Sequence, residues 1–211
     1  MSTDHCPHAR TRRVLLTAAV LTGVMFWLRR HPSACPYALR LSLQPPHPLI
    51  TRARLNEILA PLPGERMLEI GPGSGYYTLP LAQWLGADGC LDILDVQQPM
   101  LDYTMRRARR HGIENLAPVC GDARRLPFDD ATFDAVILIT TLGEIPDQDT
   151  AWREMARVLK PAGRVINGEL FFGDPHWVTP RAAERHASTA GLTQRHRIGT
   201  AIGYFARYEH C

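Results

Sequence analysis

Lysine is all but missing from this 211-residue chain: Lys160 is the only one, and arginine carries nearly all the positive charge. The formal net charge is only +3. The basic footprint expected of a nucleic-acid-binding protein is therefore absent, and no nucleic-acid partner is expected. Cysteine is sparse and unpatterned. Cys6, Cys35, Cys90, Cys120 and Cys211 are odd in number and none has CxxC spacing, which excludes a disulfide framework or a zinc knuckle. Cys90 and Cys120 fall in strand-like segments, where a thiol is expected to act as a small buried hydrophobe. His5, Cys6 and His8 read as part of a loose N-terminus rather than a metal grip, and no metal is expected. No internal repeat is visible. What the chain does have is apolar residue, 45% of the total, enough to bury a core and to argue against disorder.

No apolar run reaches the roughly 20 residues of a full membrane span. The longest, Val14 to Leu28, carries no charge and is bracketed by Arg12-Arg13 and Arg29-Arg30. Three readings compete: a secretory signal peptide, a short membrane anchor with Trp27 and the arginines at the interface, and an ordinary buried helix. No A-x-A-like cleavage site follows, so the anchor is preferred. Flanking charge is balanced and leaves orientation open.

The chain then divides into three parts: residues 1–30 with the apolar segment, a proline-rich linker or cover over 31–50, and a domain over 51–211. Thr51 is placed to cap a helix bearing Leu55, Ile58 and Leu59. Beyond it, strands and helices alternate. Strands are expected at 66–70, 90–96, 116–120, 133–140 and 164–172, and helices at 76–85, 99–111, 148–159 and 181–190. Pro161 and Gly163 are expected to form the turn before the fifth strand. Two closing strands, 193–198 and 203–209, are separated by a short turn. The fold expected is α/β: a Rossmann-like, seven-stranded, mainly parallel sheet with an antiparallel edge hairpin and helices on both faces.

The chemistry concentrates where the first strand gives way to a helix, at Glu69-Ile70-Gly71-Pro72-Gly73-Ser74-Gly75-Tyr76. Glycines there let a ligand approach the backbone. Open α/β sheets bind ligands at the carboxyl ends of their strands. Glu69 puts a carboxylate at that end, which suits a cationic ammonium group and sits badly beside a pyrophosphate. Asp95 ends the second strand about 20 residues on, where ribose hydroxyls are commonly bound. A glycine loop followed by an acid is shared with dinucleotide enzymes, and G-x-G-x-G spacing alone does not separate the two.

Five ordered segments do. Glu69 to Gly75 resembles the first motif of class I S-adenosylmethionine-dependent methyltransferases. Asp95-Val96-Gln97-Gln98-Pro99-Met100-Leu101 resembles their second-strand motif, and Gly121-Asp122-Ala123 with Leu126-Pro127-Phe128 their adenine-side motif. Phe133-Asp134-Ala135 and Arg153 to Arg164 resemble the fourth strand and the helix and turn before the fifth, with Ala162 where a glycine is usual. Within that family the chain is most similar to the ubiquinone/menaquinone-biosynthesis-type methyltransferases. The resemblance implies S-adenosylmethionine as cofactor. Gly71, Pro72, Gly73 and Gly75 would line its methionine part and Glu69 would hold its amino group. Asp95 would take the ribose hydroxyls, with Val96 and Gln97 beside the adenine and Asp122 and Ala123 bonding to it. Tyr76 and Tyr77 would start the helix under the cofactor, and Thr140 and Thr141 would face the sulfonium or the acceptor.

Methyl transfer from a sulfonium is an in-line displacement, and alignment is the protein's main task. Candidates for the acceptor side are Thr141, Glu144 and His176, with Glu169 read either as a base or as a buried strand acid paired to an arginine. Asp122 has a plainer reading as a turn cap, His176 as an exposed loop histidine, and the Arg106-Arg107-Arg109-Arg110 run as a solvated helix face that could also meet anionic lipid. The segment after the fourth strand lacks N/D-P-P-Y/F and a metal-binding aspartate set, which argues against nucleobase amino methylation and magnesium-dependent catechol chemistry. The expectation is methyl transfer to a small lipophilic acceptor, such as a quinone precursor, lipid or natural product, at the cytoplasmic face of a membrane touched by residues 14–28. A nicotinamide-dependent oxidoreductase or a silent cofactor-binding scaffold are the alternatives, and a purely cytoplasmic protein is the alternative location.

Overall fold

A computed structural model describes residues 30–44, 46–171 and 174–211. The His5, Cys6 and His8 group and the apolar run 14–28 lie outside the described residues. Among the described residues no helix is long and apolar enough to cross a membrane.

Seven strands form one sheet: β1 (Arg66–Ile70), β2 (Cys90–Asp95), β3 (Leu116–Cys120), β4 (Phe133–Ile139), β5 (Leu159–Leu170), β6 (Leu192–Thr200) and β7 (Gly203–His210). Their order is β3-β2-β1-β4-β5-β7-β6. The first five run parallel, and β7 pairs antiparallel with both β5 and β6. This is the expected Rossmann-like sheet with its antiparallel edge hairpin. The reversal of strand order between β1 and β4 leaves a crevice at their carboxyl ends, the position where such sheets bind ligands.

The helices are α1 (Arg52–Leu59), α2 (Thr78–Leu85), α3 (Gln98–Arg110), α4 (Gln148–Val158) and α5 (Pro180–Thr189). Thr51 caps α1 by accepting from the Arg54 N–H, a cap contribution of about 1 kcal/mol. The helix ends at Ala60 in left-handed conformation. Period-two alternation splits the strands between two cores. Met67, Leu91, Ala135 and Ile137 pack with α1, α2 and α3. Leu68, Leu94, Val136 and Leu138 pack with Trp152, Met155 and Ala183 of α4 and α5. Along α3, Leu101, Thr104 and Ala108 are buried at helical spacing, and Arg106, Arg109 and Arg110 are exposed. Arg107 departs from the expected solvated face: it reaches back and donates to the Ser74 carbonyl.

Several local expectations are corrected. Lys160 to Gly163 were read as a turn before the fifth strand, but β5 begins at Leu159. Phe133 pairs with Leu159 and Ala135 with Arg164, so Asp134 alone faces the four residues between them. The proline and glycine are absorbed as a bulge rather than a break. α2 starts at Thr78, not Tyr76, because a turn closed from Gly75 N–H to Pro72 carbonyl precedes it. The proline-rich stretch holds a 3₁₀ helix over Tyr37–Leu43; Pro36 stands at its cap and no proline interrupts residues 37–44. Cys90 is half-buried and Cys120 exposed, because β3 is an edge strand.

The amino ends of the strands carry paired charge. Arg164 is buried and its guanidinium donates to both Glu65 oxygens, at 2.6 and 2.8 Å, and to the Leu59 carbonyl. Arg66 pairs with Asp92 at 2.9 Å and Lys160 with Asp134 at 2.8 Å.

Candidate functional site

The loops after β1, β2 and β4 meet at the crevice. The glycine turn after β1 is held by the Gly71 N–H donating to the Leu94 carbonyl at 2.8 Å. Gly71 has φ +71° and Gly75 +79°, values side-chain-bearing residues rarely adopt. A Cβ on Gly71 would lie 2.5 Å from Thr141 Oγ1, and one on Gly75 3.1 Å from Thr104 Cγ2. The turn is therefore glycine for two reasons, dihedral and contact. Thr104 also donates to the Gly73 carbonyl at 2.9 Å. Pro72 is buried beneath it.

Glu69 points from β1 into this turn. Its side chain is buried, Oε2 has no hydrogen-bond partner among the described residues, and no cation pairs with it. Burial raises its pKa to about 7, tempered by the nearby Thr78 hydroxyl. An ionisable oxygen left without a partner at the base of a side-chain-free turn is what an incoming ammonium group would satisfy. The donor set thus fits an amino-acid-bearing cofactor. Tyr76 lies over the turn's exit with Arg52 stacked on its ring at 4.1 Å, and Tyr77 donates to the Ile50 carbonyl.

Asp95 ends β2 and is buried, with its pKa raised by burial against the N–H groups of Gln97 and Val96. Val96 is exposed. Gln97 has both amide atoms engaged: Nε2 donates to the Cys35 carbonyl at 2.9 Å and Oε1 accepts from the Tyr37 N–H at 3.2 Å. The segment from Cys35 to Leu43 therefore straps across the crevice. Its far end rests on the glycine turn, where Ser74 donates to the Leu43 carbonyl at 3.2 Å. The proline-rich sequence of residues 31–50 left linker and cover open; which groups hold residues 35–43 depends on partners tens of residues away.

Asp122 and Ala123 follow β3, whose end is tied to the crevice by the Gly121 N–H donating to the Asp95 carbonyl at 3.0 Å. Ala123 is buried. Asp122 is bound by Arg124 through three N–H···O contacts and by the Arg124 backbone N–H. Asp122 thus caps a local turn, and the Arg124 guanidinium keeps its carboxyl below the usual range.

On the other side of the crevice, Thr140 adopts φ +51°. That conformation costs a β-branched residue of order 1–3 kcal/mol and marks a locally constrained site. Thr141 packs on Gly71. Glu144 sits in a 3₁₀ turn, Leu142–Glu144, and accepts from the Cys35 N–H at 3.1 Å. Burial, then the neighbouring Asp174 and Asp95, raise its pKa to about 8, with the Cys35 N–H opposing. His176 is not the exposed loop histidine of the plainer reading: it is half-buried, Nδ1 is without a partner, and its carbonyl would clash with any Cβ at Gly143. A groove of about 370 Å³ runs beside it, lined by Pro32, Gly143, Gln148, Trp177 and His186 among others.

Glu169 is corrected: it is fully buried but pairs with no arginine among the described residues. Oε2 accepts from the Val178 N–H at 3.1 Å and Oε1 has no partner among the described residues. Burial pushes its pKa well above the ordinary carboxyl value. Tyr204 donates to the Val178 carbonyl at 3.1 Å, so both polar groups of that peptide position are held from the sheet. Sequence reasoning missed Asn167 and Tyr204 here. The available signal was two polar residues, Asn167 and Glu169, alternating in an otherwise apolar strand.

Comparison with known proteins agrees with this geometry. The family model described as the ubiE/COQ5 methyltransferase family matches residues 41–173. The ubiquinone/menaquinone biosynthesis C-methyltransferase UbiE of Idiomarina loihiensis is 39% identical over 104 residues, covering 49% of this chain and 41% of that protein. This chain thus spans about two fifths of the length of that curated relative. A solved S-adenosylmethionine-dependent methyltransferase from Aquifex aeolicus shares the fold, with TM-score 0.71 and 19% identity over 82% of this chain and 97% of that one. So does the [4+2]-cyclase SpnF, with TM-score 0.66 and 20% identity over 75% of this chain and 79% of that one.

Proposed function

The chain belongs to the ubiE/COQ5 methyltransferase family, and from that premise we propose that it transfers the methyl group of S-adenosylmethionine to a small lipophilic acceptor of the quinone-precursor class. One observation carries the reading: the carboxyl ends of β1, β2 and β4 gather the buried Glu69 and Asp95 and the half-buried Glu144 with no cationic side chain paired to any of them among the described residues. A positively charged amino-acid nucleoside supplies the missing partner.

When bound, that cofactor contributes an electrophilic methyl group on a positively charged sulfur. Glu69 holds the amino group at the base of the turn formed by Gly71, Pro72, Gly73 and Gly75. Asp95 accepts from the ribose hydroxyls, and Val96, Gln97, Asp122 and Ala123 border the base. Thr140 and Thr141 separate cofactor from acceptor and align the two. Glu144, with its carboxyl raised to about 8, takes up or returns a proton near neutral pH when the acceptor must lose one. His176 borders the acceptor groove. The strap from Cys35 to Leu43 closes the crevice against water. Residues 14–28 hold the protein at the cytoplasmic face of a membrane, where lipophilic acceptors reside.

Isothermal titration with S-adenosylmethionine, S-adenosylhomocysteine and NADH tests the cofactor. Binding of the first two without NADH is expected; NADH binding with no response to S-adenosylhomocysteine would overturn the reading. Incubation with radiolabelled S-adenosylmethionine and a lipid extract of the host identifies the acceptor, and cofactor binding without any labelled product would favour a silent scaffold.

A further inference from the structure

Among the described residues, six large apolar side chains stay exposed: Leu39, Leu41, Leu62, Val96, Phe171 and Ile202. Isolated exposed apolar residues need no explanation, but these are not scattered. Val96 follows the last residue of β2 and Phe171 the last residue of β5. Ile202 occupies the β6–β7 turn, where its carbonyl accepts from the Phe171 N–H at 2.9 Å. Leu39 and Leu41 stand on the strap, between Tyr37, which is held by Gln97, and Leu43, which rests on the glycine turn. Five of the six, between 42% and 61% exposed, therefore lie at the carboxyl edge of the sheet. Leu62, just ahead of β1, is at the opposite end.

The strand order β2-β1-β4-β5 puts three inter-strand spacings, about 14 Å, between the two halves of this set. They flank the crevice as two apolar knuckles. Basic residues share the edge: the exposed Arg125 after β3, and on the strap the half-buried Arg40, whose guanidinium lies 4.3 Å from the Tyr37 ring centroid and donates to the Tyr37 carbonyl; neither pairs with a carboxylate among the described residues. The strap is also where the apolar run 14–28 and its Arg29-Arg30 flank feed into the domain.

We propose that the carboxyl edge of the sheet is a membrane-docking face, on which Leu39, Leu41, Val96, Phe171 and Ile202 enter the interface of an anionic lipid bilayer and set the crevice mouth against it. Exposed apolar side chains with basic residues beside them are the chemistry of interfacial lipid binding. The face is distinct from residues 14–28, and rests on the proposed function only in where the mouth lies. A lipophilic acceptor then passes from bilayer to crevice without crossing water.

The test is flotation of the full chain with phosphatidylcholine vesicles containing phosphatidylglycerol. Val20→Asp with Val24→Asp first breaks the apolar run. This chain is expected still to float with the vesicles, less so as salt rises. Adding Leu39→Ser, Leu41→Ser, Phe171→Ser and Ile202→Ser is expected to weaken binding by roughly tenfold or more, whereas adding Leu62→Ser instead leaves it unchanged. Failure of the Val20→Asp, Val24→Asp chain to float overturns the proposal, as does flotation that survives the four serines. So does a shift from dimer to monomer caused by the serines without any vesicle binding, which would assign the face to a second copy. S-adenosylhomocysteine titration of the Phe171→Ser, Ile202→Ser chain reads the cofactor site separately, and its affinity is expected to be unchanged.

Discussion

The two ends of the same parallel strands treat charge in opposite ways. At the amino ends, Glu65 meets Arg164, Asp92 meets Arg66 and Asp134 meets Lys160. The hydrogen-bonded cations hold the Glu65 and Asp134 carboxyls below their ordinary range despite partial burial. At the carboxyl ends, Glu69 and Asp95 are buried and Glu144 half-buried, none has a cation among the described residues, and desolvation drives all three upward. One edge is electrostatically complete and serves stability. The other keeps a deficit of positive charge that a ligand would fill, which is how functional sites differ from structural ion pairs.

The comparison breaks most readily at its paired edge. Arg164→Leu leaves the half-buried Glu65 without its cation and the Leu59 carbonyl without its donor, and is expected to destabilise the fold by about 1–3 kcal/mol in urea unfolding. Adding Glu65→Met should recover much of that loss. A small effect from the single change would mean that the two edges do not differ as described. At the unpaired edge the opposite split is expected. Asp95→Asn should weaken S-adenosylhomocysteine binding by about 10- to 100-fold, the range for hydrogen bonds to a charged group, and leave unfolding midpoints nearly unchanged.

Acidity sharpens the contrast. Glu69 and Glu144 bind protons more tightly in the folded than in the unfolded chain. Their contribution is therefore complete below the unfolded value near 4.5 and is lost as pH rises through about 7 and about 8. Ligand-free stability should fall by several kcal/mol across that window, and Glu69→Gln with Glu144→Gln should flatten the slope. Binding runs the other way for Glu69, because an ammonium group prefers the ionised carboxylate. Affinity for S-adenosylhomocysteine should rise between pH 5.5 and 7 by titration calorimetry, with the rise absent in Glu69→Gln. The smallest effect belongs to the latch. Gln97→Ala removes two hydrogen bonds to the strap, about 1 kcal/mol in total, and should speed proteolytic cleavage within residues 35–44. An unchanged cleavage rate would show that the strap is held elsewhere.

The glycine turn was legible because its chemistry is local: alternate glycines and Glu69 two residues upstream define both the bend and its charge. The alternation of β1 to β5 with helices was legible for the same reason, since each element carries its own periodicity. Lys160 to Gly163 misled because a proline and a glycine signal a break locally, whereas pairing with β4 turns them into a bulge. Glu169 misled because its sequence neighbours do not reveal that its partner is the Val178 backbone rather than an arginine.

The linear order of residues determined the sheet's composition, the two faces of each strand and the place where a cationic ligand would approach, because periodicity and side-chain charge act within a few residues. Only tertiary structure decided that residues 35–43 close that place, that Gln97 latches them, and that Arg107 turns inward. Those outcomes depend on contacts between segments 31 to 109 residues apart, and no local pattern encodes which distant groups a folded sheet will bring within hydrogen-bonding reach.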